Sequence, residues 1–264
     1  MNSKLIGILS ASLLFLTNNV VAVTDGELDG DNHPFVGLLI FDVDGQPAWR
    51  CSGTLLSPTV MLTAGHCTYG ASGGRVWFEN NEIDIRNGGY PFGGGSAIEF
   101  TTVTTSPYFN PAAFFLNDLG MVILSSPVVL SEYATLPAAG ALNALATQRG
   151  KQDQTFTPVG YGLQAINPVF VESRLDRMYA RPHLNQINSP GFTGDFSMLL
   201  SNNHATGGTC FGDSGGPNFM GTSFVIGGVT SYGINGNCAG TGGVYRMDRQ
   251  HDLDWVMDIV AANP

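Results

Sequence analysis

Apolar residues in this chain come in short runs separated by Gly, Pro, Asn, Asp and Ser. That pattern predicts many short strands rather than long helices. Residues 35–41 (FVGLLIF) predict a strand, and Asp42-Val43-Asp44-Gly45 the hairpin turn that follows it. Two apolar runs, 54–56 and 60–64, flank the turn signal Ser57-Pro58. Further strands are predicted at 76–78, 98–104 and 119–124, with a glycine-rich surface loop at 87–95. The proline-punctuated stretch SSPVVLSEYATLPAAG has no clear period and reads as a crossing between two β units. Beyond it, strands are predicted at 155–161, 175–179, 197–200, 223–231 and 243–247.

The two ends differ from this pattern. Leu253, Val256, Met257 and Val260 recur at helical spacing, which predicts a short C-terminal helix with Asp248 or Asp252 capping its start. At the other end, Lys4 precedes an apolar run over 5–16, and Val20-Val21-Ala22 supplies small residues. This is the layout of a secretory signal, and the run is short for a membrane span. The expected organisation is a signal at 1–22, a first β-barrel at 23–134, a second at 135–247 and a C-terminal helix at 248–264, in a chain exported to the extracellular space.

Composition narrows the function classes. The 264 residues are 43% hydrophobic and 12% charged, enough for one large all-β domain or two small ones. The formal net charge is −10, and −11 once Lys4 leaves with the signal. Such a chain has no attraction for phosphate backbones or anionic lipid. No nucleic-acid or membrane partner is expected, and a monomer is the default. The acidic stretch 25–31 lacks calcium-loop spacing and reads as solvated surface.

Cys51, Cys67, Cys210 and Cys238 make an even count, which in an exported chain suggests two disulfides. Three pairings are open. Pairing neighbours would close loops worth about 3 kcal/mol each. The close C-x-x-C spacing of a zinc site is absent, so no metal or other cofactor is expected.

The stretch TCFGDSGGP, 209–217, carries the chemistry. A serine hydroxyl is a poor nucleophile at neutral pH and needs a base, donors for a developing oxyanion, and room. Glycines around Ser214 leave that room and turn successive N–H groups toward one point, which makes Gly212 and Ser214 N–H candidate oxyanion donors. The candidate base is His66 in LTAGHC, beside a cysteine. His33, His183, His204 and His251 have no such setting. Asp118 in NDLGMVIL, at the mouth of an apolar strand, is the candidate acceptor for the imidazole N–H.

LTAGHC, NDLGMVIL and CFGDSGGP, in the order His, Asp, Ser, together resemble the chymotrypsin/trypsin-like serine proteases. Gly160-Tyr161-Gly162 is similar to the family's Gly-aromatic-Gly strand end, and Ser231-Tyr232-Gly233 to its substrate-binding strand. The resemblance implies an all-β fold of two six-stranded antiparallel barrels, with the active site in the cleft between them and a protein or peptide as substrate. It implies the pairs Cys51–Cys67 and Cys210–Cys238, in agreement with neighbour pairing. It also implies Ser214 as nucleophile, His66 as base and then acid, and Asp118 as its orienting partner.

In the family, an aspartate placed like Asp213 pairs with a freed N-terminal ammonium. The usual IVGG start is missing here, and removal of the signal after Ala22 would expose Val23, so Val23 and Asp213 form the expected activation pair. Alignment back from Ser214 places the specificity-pocket base near Gly208 and Thr209, and its walls near Gly233 and Gly243. No carboxylate stands at the base, which argues for apolar or aromatic side chains over Arg or Lys. The rival expectation is a non-catalytic binding or defence protein on the same fold, a class that typically loses one of the three residues.

Overall fold

The computed structural model describes residues 23–147, 153–166 and 170–264. The signal reading of 1–22 lies outside the described residues. A two-residue strand, β1 (Glu27–Leu28), precedes the long hairpin of β2 (Val36–Val43) and β3 (Gln46–Leu55). Asp44 and Gly45 both take positive φ at its turn, the two-residue geometry that suits twisted strands. The first half continues with β4 (Val60–Thr63), a one-turn helix α1 (Gly65–Thr68), β5 (Gly73–Trp77), α2 (Glu82–Asn87), β6 (Ile98–Thr105) and β7 (Gly120–Leu124). Asn81 caps α2 by accepting the Asp84 N–H. The strands close into a barrel in the order β2-β3-β4-β7-β6-β5.

The second half holds β8 (Phe156–Gly160), β9 (Ala165–Ile166), β10 (Val171–Glu172), β11 (Met178–Tyr179), β12 (Leu184–Ser189), β13 (Gly194–Asn202), β14 (Pro217–Met220), β15 (Ile226–Gly233) and β16 (Gly240–Arg246). Apart from the β9–β10 hairpin they form one sheet with β1, in the order β1-β11-β8-β14-β15-β16-β13-β12. This is a half-barrel, not a second closed six-stranded ladder. Among the described residues, its far edge meets the approach to β8 through the Thr155–His183 bridge and the bonds Phe156 N–H to Pro182 O and Leu184 N–H to Gln154 O. Pro182 has no N–H to donate, so the strand passing through it breaks into β11 and β12.

One apolar core runs through both halves, from Phe41, Met61 and Trp77 to Tyr161, Phe219 and Tyr245. Arg177 clamps the seam. It is 1% exposed and donates to Asp29 Oδ2 (2.8 Å), Gly30 O (2.7 Å), Phe78 O (2.9 Å), Val36 O and the Tyr161 hydroxyl. The C-terminal helix, α3 (Gln250–Ala262), buries Leu253 and Val256 and packs Trp255, Ile259 and Val260 on the core. Neither expected aspartate caps it: Arg249 is the N-cap, Asp248 pairs with Arg246, and Asp252 accepts from the Tyr245 hydroxyl at 2.8 Å. Buried arginine and tyrosine donors compete for those carboxylates more strongly than frayed N–H groups do. Among the described residues, no helix is long and apolar enough to cross a membrane.

Candidate active site

His66 stands on α1, one residue after the turn that leaves β4. Its neighbour Cys67 is bonded to Cys51 of β3, and Trp49 Nε1 donates to Cys67 O at 2.8 Å. Asp118 lies two residues before β7 and is wholly buried. Its Oδ1 accepts the His66 backbone N–H at 2.8 Å, and its Oδ2 faces His66 Nδ1 at 2.8 Å. The Ser231 hydroxyl donates to the same Oδ2 at 2.5 Å. A carboxylate fixed by these donors holds the proton on Nδ1 and leaves Nε2 able to accept one.

The serine loop is held from both halves of the molecule. Ser214 O accepts the Ser52 N–H at 2.8 Å, and Gly212 O accepts the Ser52 hydroxyl at 2.9 Å. The Cys210–Cys238 disulfide ties the loop to the segment before β16. Gly212 adopts φ +100 and Gly215 φ +82, conformations that suit glycine. Among the described residues, neither the Gly212 N–H nor the Ser214 N–H donates to a protein acceptor. Ser52 escaped sequence reasoning; its only signal was its place beside Cys51.

Asp213, between these two donors, is 1% exposed. Its oxygens accept the Gly162 N–H at 2.7 Å and the Cys210 N–H at 2.8 Å. Burial pushes its carboxyl up to about 6, partly offset by those bonds and by Arg50. Val23 is buried against Met178 and Ala180, and Thr24 bridges Gly208, five residues before Asp213.

His66 and Ser214 line one cavity of about 450 Å³. Thr209, Thr230, Gly233 and Cys238 also line it, and no carboxylate does. Gly208 and Gly243, also expected at the pocket, are not among the residues that line this cavity. A side chain on Gly208 would overlap the Asn202 amide, and one on Gly243 would overlap the Tyr232 ring. A Cβ on Gly242 would stand 3.0 Å from the Thr209 hydroxyl, and the β15–β16 register is irregular between Thr230 and Tyr232.

The cavity is flanked by rings the sequence did not single out. Phe114 lies 5.7 Å from His66 and 5.6 Å from Phe115, centroid to centroid. Phe115 lies 4.6 Å from Phe192, which meets Tyr232 at 5.6 Å.

A family model described as Trypsin matches residues 29–255. The chain belongs to the trypsin family of serine proteases. This trypsin-family chain is 28% identical over 222 residues to brachyurin of Leptuca pugilator, covering 81% of this chain and 89% of that protein. It is 25% identical over 236 residues to chymotrypsin-C of Bos taurus, covering 85% and 83%. A solved structure described as HL collagenase superposes with a TM-score of 0.71 at 19% identity, covering 90% of this chain and 98% of that one. That last likeness bears on the fold alone.

Proposed function

We propose that the chain is a secreted serine endopeptidase that hydrolyses peptide bonds through an acyl-enzyme. Ser214 Oγ attacks the scissile carbonyl while His66 Nε2 takes its proton. Gly212 and Ser214 N–H receive the oxyanion. His66 then returns the proton to the leaving amine, and water repeats the sequence on the ester. Asp118 keeps the imidazole in the productive tautomer. The two walls of the site come from the units 23–134 and 135–247.

One observation carries this reading: an imidazole fixed through Nδ1 by a buried carboxylate shares a cavity with Ser214, beside two unspent N–H donors. The roomy, carboxylate-free lining supports apolar or aromatic side chains before the cleaved bond. For activation, removal of 1–22 frees an ammonium at Val23 as partner for the buried Asp213.

A fluorophosphonate probe on the processed protein tests the chemistry. The adduct is expected on Ser214 and is expected to vanish in His66→Ala. An unlabelled Ser214 in correctly processed protein would overturn the reading in favour of a binding protein. N-terminal sequencing well downstream of Val23 would remove the activation pair. Fastest turnover of substrates with Arg or Lys before the cleaved bond would remove the specificity.

A further inference from the structure

Arg50 lines the cavity between Trp49 and Cys51. Its Nε and Nη2 stand 2.9 and 3.1 Å from the point where a Cβ on Gly212 would sit, so the guanidinium packs directly on that glycine. Among the cavity's lining residues it alone carries a permanent charge. Its hydrogen-bond partner is the neutral Ser173 hydroxyl, at a long 3.4 Å. No described carboxylate forms an ion pair with it. The nearby Glu172 and Asp176 lie against Arg174, at 3.8 and 3.2 Å. Asp213 feels the Arg50 charge, but its oxygens are taken by the Gly162 and Cys210 N–H groups.

In a chain with 21 acidic and 11 basic residues, an arginine in the cleft without a carboxylate stands out. Guanidinium is suited to planar, two-pronged binding of a carboxylate, and a half-desolvated cation gains most from one. The position of Arg50 says where that carboxylate sits. The pocket residues Thr230 and Gly233 and the ring of Tyr232 belong to β15, in the second half. Trp49, Arg50 and Cys51 belong to β3, across the cavity in the first. An acyl group seated along β15 leaves the β3 wall to the departing half of the substrate.

We propose that Arg50 selects Asp or Glu at the first or second residue after the cleaved bond, with the Trp49 indole covering that residue's aliphatic stem. This rests on the peptidase reading.

Peptides differing only by Glu, Gln or Lys at those two positions test it. In the intact enzyme kcat/KM for Glu is expected to exceed that for Gln by about five- to tenfold, and the ratio is expected to shrink as salt rises. Arg50→Gln is expected to bring the ratio to one, Arg50→Glu to favour Lys, and Arg50→Lys to keep part of the preference. An equal ratio in the intact enzyme and in Arg50→Gln would overturn the assignment. Fluorescence anisotropy with the Ser214→Ala chain and the same peptides separates the two claims. If no peptide is cut but Ser214→Ala still prefers Glu through Arg50, the peptidase reading falls and the recognition stands. Equal affinity for Glu and Gln peptides would sink the recognition.

Discussion

The Ser231 hydroxyl stands 2.5 Å from Asp118 Oδ2, the same oxygen that faces His66 Nδ1. The carboxylate that orients the imidazole is therefore itself oriented, from β15 of the opposite half. Ser231 also lines the cavity, so one strand both borders the cavity and orients the carboxylate that faces the imidazole.

Ser231→Ala removes one donor from a buried carboxylate. The expected result is a fall of about tenfold in kcat with a smaller change in KM, because the lost bond orients the carboxylate beside His66 and only one hydroxyl leaves the cavity lining. Asp118→Asn reverses the tautomer and is expected to cost about 10⁴ in kcat, the loss known for the same constellation. Steady-state kinetics on one chromogenic peptide compares the two.

The pH dependence of stability follows from Asp213. Its carboxyl is raised from 3.8 to about 6 by burial, so the folded state binds its proton more tightly than the unfolded one. While Val23 is still joined to Ala22, the contribution of Asp213 to stability is greatest below about pH 4, falls as pH rises toward about 6, and is level above. A shift of this size corresponds to roughly 3 kcal/mol. Asp213→Asn is expected to flatten that slope. Comparing urea unfolding of the two chains from roughly one pH unit below this window to roughly two units above it reads the difference.

Gly215→Ala tests the serine loop. A Cβ there would overlap the Thr63 hydroxyl and come within 2.5 Å of Ser52 O, at φ +82. Backbone on one side and a positive φ leave no relaxed solution, so a loss of about 3 kcal/mol or more is expected, with Ser214 reactivity lost in parallel. Thermal unfolding with probe labelling measures both.

Arg177→Met keeps volume but takes the buried cation from Asp29, which retains its His33 contacts, and removes a donor from Gly30 O, Phe78 O and Val36 O. The expected loss is about 3–5 kcal/mol. The double variant Arg177→Met/Asp29→Leu is expected to recover part of it, because no uncompensated charge remains. Denaturant midpoints of the three chains check this.

Much of this site is local in the chain. Ser214 among its glycines, His66 beside Cys67 and Asp118 before its apolar strand each announce themselves within a few residues. The neighbour pairing of cysteines is local too, and the structure contains both bridges. Strands with one apolar face were readable for the same reason. β14 was not: it is four residues opening with proline, buried between β8 and β15 without alternation. β12 was missed because its two register irregularities break the period.

The sequence alone determined the candidate reacting groups and the β class, because each depends on residue identity over a short span. The tertiary structure alone decided that Gly242 rather than Gly243 faces Thr209, that Ser231 serves Asp118, that Arg177 clamps the seam, and that Arg50 lies on Gly212 without a carboxylate. Those outcomes turn on strand register and on which buried donor reaches which acceptor across the two halves. A shift of one residue moves a side chain to the other face of a sheet, and no local pattern records it.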